Sequence, residues 1–292
     1  MIIKERFKQK KDAVERELER ILSRGNSLLF QAMRYSVLSA GKRYRPLLML
    51  ASGDYFQVEM EKILPFACAM ELIHNYSLVH DDLPCMDNDD YRRGQPACHK
   101  VYGEDIALLT GDSLLSLAFE VMAETPDGKD FSQHKSRAIR EISLYAGVEG
   151  MIGGQLLDIT YNPEEISEDQ LMKLMIKKTG GLITASVTVG GILGGASSHQ
   201  TGALQAYGEN VGLAFQIRDD IQDAAKDYPD NSPPRPNCVH FFGPDKAREK
   251  LDSHIQDALI ALETASIDSE ELRHLAIRLS VLKEKIENEQ TT

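Results

Sequence analysis

Two groups of aspartates carry the strongest chemical signal in this 292-residue chain. In the first, Asp81, Asp82 and Asp87 are joined by Asp89 and Asp90, five carboxylates within ten residues, with Arg92 and Arg93 directly after them. Crowded carboxylates repel one another and are costly to bury without counter-ions. A solvated acidic loop is the ordinary reading of such a run. Against it, Asp81 ends the apolar segment ELIHNYSLVHDD, on the line His74, Ser77, Leu78, Asp81, so the acid group continues a largely apolar face. Carboxylates beside paired guanidinium groups suit an anion held jointly by metal and arginine. In the second group, Gln216, Asp219, Asp220 and Asp223 recur at i, i+3, i+4, i+7, one stripe of a helix, while Ala214, Ile217 and Ile221 fall on a packing face. Like charges four residues apart destabilise a bare helix. A hard divalent cation relieves them, since Mg²⁺ takes a few carboxylates together with phosphate oxygens and water.

Two cationic segments complete the set. Gly41-Lys42-Arg43-Tyr44-Arg45-Pro46 puts three cations between a glycine and a proline, at a helix boundary rather than along a solvated face. A plain basic turn would read the same way. Lys178, in Lys177-Lys178-Thr179-Gly180-Gly181, continues the stripe Leu171, Leu174, Met175, where a snorkelling lysine is the alternative to a functional one. Gln155 and Asp158 form a further i, i+3 polar pair beside glycines, open to reading as helix-packing residues.

Helices must position these groups. Apolar residues recur at three- and four-residue intervals along most of the chain, and 171–192 and 205–224 lack proline. Ser167 with Gln170 and Asp268 with Glu271 have the spacing of helix-starting capping boxes. Breaks are expected near Pro84 to Pro96, at Pro126-Asp127-Gly128 and at Asn162-Pro163. The stretch 227–244 holds five of the eleven prolines and reads as a surface loop within one domain, residues 1–292.

Composition narrows the function. Hydrophobic residues make up 42% and charged residues 27%, the balance of a globular protein. A net charge of −12 argues against a nucleic-acid partner, and anionic substrates would need local cations or bound metal. No uninterrupted apolar run reaches the roughly 18–20 residues of a membrane span. The charged N-terminal stretch lacks a secretory apolar core, so a cytoplasmic location is expected. Cys68, Cys85, Cys98 and Cys238 form no CxxC pair, and neither a zinc cluster nor a disulfide framework is indicated.

In order along the chain, GKRYRP, ELIHNYSLVHDDLPCMDNDDYRRGQP, GEDIALLTGDSLL, GGQLLD, KKTGGLITA and FQIRDDIQD resemble the blocks of the trans-isoprenyl diphosphate synthase (polyprenyl synthetase) family, in particular its bacterial farnesyl diphosphate synthases. The resemblance implies an all-α bundle of long helices around a deep central cavity, a homodimer, and prenyl transfer joining isopentenyl diphosphate to dimethylallyl or geranyl diphosphate. It assigns Asp81, Asp82, Asp87, Asp219, Asp220 and Asp223 to three Mg²⁺ ions around the allylic diphosphate, and Arg92 to that diphosphate. Gly41, Lys42, Arg45, His74 and Arg93 match the isopentenyl diphosphate site. Lys178, Thr179 and Gln216 match the catalytic groups lining the reacting carbon. Tyr76 and Ser77 match the cavity floor, where the bulk of Tyr76 favours a fifteen-carbon farnesyl product over geranylgeranyl.

Two departures stand out. After Asp223 the family has a glycine- and lysine-containing loop and a further lysine, whereas this chain offers only Lys226 and Arg235 in a proline-rich stretch. The basic C-terminal ending is not clear in RLSVLKEKIENEQTT. They leave a weakly active or non-catalytic synthase subunit as one alternative. A class I terpene cyclase is another, although a cyclase consumes a single diphosphate and has no use for the Lys42, Arg45 and His74 group.

Overall fold

The computed structural model describes residues 2–39, 41–128, 131–162, 165–224 and 237–280. The helices follow in order as α1 (Ile3–Leu22), α2 (Leu28–Val37), α3 (Tyr44–Tyr55) and α4 (Met60–Asp81), then the hairpin β1 (Tyr91–Arg92) and β2 (Gln95–Pro96). After it come α5 (Cys98–Tyr102), α6 (Glu104–Glu124), α7 (Phe131–Ala146), α8 (Met151–Thr160) and α9 (Glu168–Met175). A π-helical turn (Ile176–Gly180) leads into α10 (Gly181–Leu193), followed by α11 (Ser198–Ala224), α12 (Cys238–Phe242), α13 (Pro244–Thr264) and α14 (Glu270–Ile277). The all-α class expected from the periodicity is what forms, and the hairpin supplies the only strands among the described residues.

The chain forms two compact units. The first comprises the residues up to Leu50 and Gln57–Ile139. Its centre is α4, where Phe66 through Met70, Leu72 and Ile73 are all inaccessible, so the middle of this helix is enclosed on every side. It packs on α6, whose buried Ala107, Thr110, Leu114, Leu117, Ala118 and Val121 recur at three- and four-residue intervals. By length and composition α6 could also cross a bilayer: a window within Glu104–Glu124 has a mean hydropathy of 1.6, and 44% of it is buried. No uninterrupted apolar run marks this helix, because Asp112 and Glu120 break the sequence without much lowering the average.

The second unit comprises Ala51–Phe56 and the residues from Arg140 onward. Every residue of α10 is buried. Its three hydroxyls donate to carbonyls four residues back, Thr184 to Gly180 at 3.0 Å, Ser186 to Leu182 at 2.7 Å and Thr188 to Thr184 at 2.8 Å. Nothing polar on this core helix is then left unpaired among its hydroxyls. α11 packs against both α10 and α13.

Three boundaries differ from expectation. The Ser167–Gln170 capping box is present, but α14 is capped by Ser269, whose hydroxyl accepts from the Leu272 amide; Asp268 stands one residue outside, 93% exposed. The expected surface loop at 227–244 contains α12, and Pro244 opens α13, where a missing N–H costs nothing. Lys226 and Arg235, with 281–292, lie outside the described residues, as does Pro163 of the expected break after α8.

Candidate active site

In the first unit, α4 delivers the first aspartates. His74, Ser77, Leu78 and Asp81 are all half-buried, so this line is the accessible strip of an otherwise enclosed helix rather than the continuation of a buried face. The helix ends at Asp81, and the loop folds back at once: the Asp87 amide donates to the Asp81 carbonyl at 2.8 Å. Asp81 and Asp87 are half-exposed, while Asp82 is buried. Arg92 reaches Asp82 through Nε at 2.8 Å and through Nη2, and its Nη2 also reaches Asp89 at 3.0 Å. Burial raises the pKa of Asp82 even with this guanidinium against it.

Arg93 and Gly94 form the two-residue turn of the hairpin, both with positive φ, 53° and 79°. Two left-handed residues match the twist of paired strands, and arginine at the first is uncommon. This conformation carries Arg93 Nη2 to 3.5 Å from His74 Nε2. Burial, then the charges of Arg45 and Arg93, hold the His74 imidazole well below its ordinary pKa. Gly41 and exposed Lys42 precede α3, and buried Arg45 lies in its first turn. Tyr76 is buried in α4 with its ring edge-on to His80, its hydroxyl without a hydrogen-bond partner among the described residues and its pKa pushed up to about 12 by burial and then Asp81.

In the second unit the sequence-predicted groups converge. The Thr179 hydroxyl donates to Gln216 Oε1 at 2.7 Å, and Gln216 Nε2 donates to Asp220 Oδ1 at 2.8 Å. Asp220 is 7% exposed and also accepts the Cys238 amide at 2.7 Å. Asp219 is met by Arg218 at 3.1 Å. Gln216, Asp219 and Asp223 are half-exposed, and the neighbouring Ala214, Ile217 and Ile221 are buried, as the stripe predicts. Lys178 and Thr179 stand on the π-turn, an irregularity frequent at functional sites.

The sequence model of the polyprenyl synthetase family matches residues 26–232. This chain belongs to the polyprenyl synthetase family. A farnesyl diphosphate synthase of Geobacillus stearothermophilus is 39% identical over 280 residues, covering 91% of this chain and 93% of its own. A chloroplastic geranylgeranyl pyrophosphate synthase of Catharanthus roseus is 42% identical over 219 residues, 74% of this chain and 61% of its own. Among solved structures, an FPP/GFPP synthase from Zymomonas mobilis superposes with a TM-score of 0.84 at 33% identity, covering 94% of this chain and 97% of its own. As a member of this family the chain is a prenyltransferase.

This polyprenyl synthetase has the donor chemistry for a divalent metal. Among the described residues no three His, Cys, Asp or Glu side chains form a ready-made cage. The half-exposed carboxylates of Asp81 and Asp87, and of Asp219 and Asp223, are hard oxygen donors in pairs, the kind Mg²⁺ uses when substrate phosphates and water complete its shell.

Sequence reasoning left three partners unassigned. Asp158 forms the ion pair with Lys178, and Gln155 beside it has both amide atoms buried without partners among the described residues. Their i, i+3 spacing was the available signal. Asp89, read only as part of the acidic run, holds Arg92. Arg43, between exposed Lys42 and buried Arg45, is fully enclosed; no local pattern marks which of three cations protein carboxylates hold.

Proposed function

We propose that this polyprenyl synthetase joins isopentenyl diphosphate to dimethylallyl or geranyl diphosphate and releases farnesyl diphosphate and diphosphate. The observation that supports it best is the chain Thr179–Gln216–Asp220 on α11 and the π-turn, which sets uncharged oxygen dipoles one helical turn from a carboxylate stripe. Such dipoles suit an allylic cation, and the stripe suits the metal that accompanies its departing diphosphate.

Asp81, Asp87, Asp219 and Asp223 would hold Mg²⁺, and bound Mg²⁺ neutralises the charge that develops on the leaving diphosphate. Asp82 and Asp220 would serve as further Mg²⁺ ligands, and they also orient Arg92, through Asp82 Oδ1, and Gln216 and the Cys238 amide, through Asp220. Arg92 would contact the allylic diphosphate. Lys42, Arg45, His74 and Arg93 would bind isopentenyl diphosphate beside the N-terminus of α3, where the helix dipole favours an anion. As the allylic C–O bond breaks, its electron pair leaves with diphosphate. The π electrons of isopentenyl diphosphate then form the new C–C bond, and the C2 proton passes to the departed diphosphate. Thr179, Gln216 and the Lys178 backbone would face the carbon that carries positive charge.

The farnesyl assignment rests on the bulk of Tyr76 and on the 39% identity to a farnesyl diphosphate synthase across nearly both chains. Geranylgeranyl diphosphate is the second reading, favoured by the 42% identity to a geranylgeranyl synthase over a shorter span. Incubation with Mg²⁺, isopentenyl diphosphate and each allylic primer, with products resolved by chain length, decides between them. The expected product is farnesyl diphosphate, lost on chelation and reduced at least ~100-fold in Asp81→Ala and Asp219→Ala, since each removes charge stabilisation of the leaving group. Tyr76→Ala should lengthen the product. A twenty-carbon product from the unaltered protein overturns the farnesyl assignment and keeps the chemistry; no product from any primer overturns both.

A further inference from the structure

Arg43 is enclosed where four elements of the first unit meet, and every part of its guanidinium is used by protein. Nε donates to Glu15 Oε1 on α1 at 2.9 Å, and Nη1 to Glu71 Oε1 on α4 at 2.8 Å. Nη2 donates to Glu15 Oε2 at 3.1 Å, to the Val37 carbonyl at 2.8 Å and to the Ser39 carbonyl at 3.3 Å. Val37 is the last residue of α2, so Arg43 also satisfies a carbonyl that a helix end leaves without a partner. Glu71 is 2% exposed and is met in turn by Asn75 Nδ2 at 3.4 Å.

The backbone of Arg43 is equally constrained. Its φ is 51°, a left-handed conformation that a non-glycine residue holds only where its surroundings over-determine it. Its carbonyl accepts the Leu47 amide at 3.0 Å, an opening hydrogen bond of α3. The direction in which α3 leaves the turn therefore depends on this residue, and with it the places of Lys42 before the helix and Arg45 in its first turn. The guanidinium also stands against Gly41: a Cβ there would lie 3.0 Å from Arg43 Nη1 and 3.2 Å from Arg93 Nη1. Arg43 and Arg93 thus both close on the turn at Gly41, with His74 beside Arg93 and Glu71 one helical turn before His74.

We propose that Arg43, held by Glu15 and Glu71, is a positioning residue for the isopentenyl diphosphate site: it never touches substrate but fixes the turn that presents Lys42 and Arg45. Glu71 has a second part in this. It places a buried negative charge among Arg43, Arg93 and His74, so the cationic cluster can assemble before an anion arrives. Lysine cannot replace Arg43, because a single ammonium cannot hold two carboxylates and two carbonyls in one plane.

This inference rests on the reading of Lys42 and Arg45 as ligands of isopentenyl diphosphate, and the test separates the two. KM for isopentenyl diphosphate and for geranyl diphosphate is measured in Arg43→Lys, Glu71→Gln and Glu15→Gln, with Lys42→Ala as control and circular dichroism to confirm folding. Arg43→Lys and Glu71→Gln should raise KM for isopentenyl diphosphate ~10-fold, a misplacement effect, and leave KM for geranyl diphosphate unchanged. Glu15→Gln, altered at the half-exposed end of the network, should shift the same constant in the same direction and decides the matter if the buried variants do not fold. A merely structural role would lower Tm and move both KM values together, and that outcome, or no change in either, overturns the inference. If Lys42→Ala itself leaves KM for isopentenyl diphosphate unchanged, the assignment of the turn falls, and the inference with it.

Discussion

Asp220 stands one turn beyond Gln216 on α11, and its carboxyl is displaced from the ordinary aspartate range. Burial is the main cause and pushes its pKa up to about 6, opposed by the Cys238 and Gln216 hydrogen bonds and reinforced by Asp219 and Asp223. In an unfolded chain an aspartate titrates near 4. Between those values the folded chain holds a proton that the unfolded chain has released, so stability falls as pH rises through this window. At about 1.4 kcal/mol per tenfold change in proton affinity, the loss is on the order of 3 kcal/mol, complete above pH 6. Asp220→Asn has no charge to bury and escapes it. In metal-free protein the Tm advantage of Asp220→Asn over the unaltered chain should therefore grow from pH 4 to pH 7. Parallel Tm curves would show that Asp220 ionises in the folded state as easily as in the unfolded one. Added Mg²⁺ should narrow the gap above pH 6, since a cation beside the stripe lowers the cost of the charge.

α8 lies so close to the π-turn that glycine at 154 is a steric requirement. A Cβ there would stand 2.3 Å from the Lys178 amide nitrogen and 2.6 Å from its Cα, both backbone atoms that cannot turn aside. Gly154→Ala should cost roughly 1–3 kcal/mol, as overpacking does, and should lower kcat because the displaced backbone carries Lys178 and Thr179. Gly202, also within a helix, has open space around its Cβ position. Gly202→Ala should stabilise α11 by up to about 1 kcal/mol and leave kcat alone. Urea denaturation and initial rates for the two variants check both halves; equal effects would mean that crowding at Gly154 is relieved elsewhere. The π-turn also marks where reading from sequence stops. The Asp219–Asp223 stripe was legible because a 3.6-residue period is a local property, and so was the Ser167–Gln170 cap. An extra residue in a helical turn depends on what packs against it, here α8, and the sequence of 171–192 reads as unbroken helix. The cap at Ser269 rather than Asp268 is a choice between adjacent capping residues, decided by packing. The enclosure of Arg43 is illegible for the same reason: Glu15 and Glu71, each 28 positions away, hold its guanidinium.

At the scale of the whole molecule, a chain of net charge −12 is expected to take diphosphates, and the opposing field is concentrated locally. Lys42, Arg45, Arg92 and Arg93 supply it in the first unit, beside a carboxylate pair suited to Mg²⁺. Apolar surface is similarly uneven. Ile152, Leu156 and Ile159 recur at four- and three-residue intervals on one face of α8, with exposures of 47%, 57% and 60%, and Val148, in the turn before the helix, is 76% exposed. A single exposed leucine calls for no explanation, whereas a row of three large aliphatic side chains on one helix face in water is a standing cost of association-prone surface. A homodimer, the assembly that the family resemblance implies, would cover such surface in one step if this face lies at the interface. Light scattering in solution should therefore give twice the chain mass of 32.6 kDa at micromolar concentration. Ile152→Glu with Leu156→Glu should shift the mass towards 32.6 kDa, because charges set opposite an apolar partner weaken a contact strongly. A dimer that survives both substitutions would move the interface to other exposed apolar positions, of which Leu108 and Leu109 on α6 are the next to substitute. A monomer in the unaltered protein would leave the row on α8 exposed in solution and refute the dimer outright.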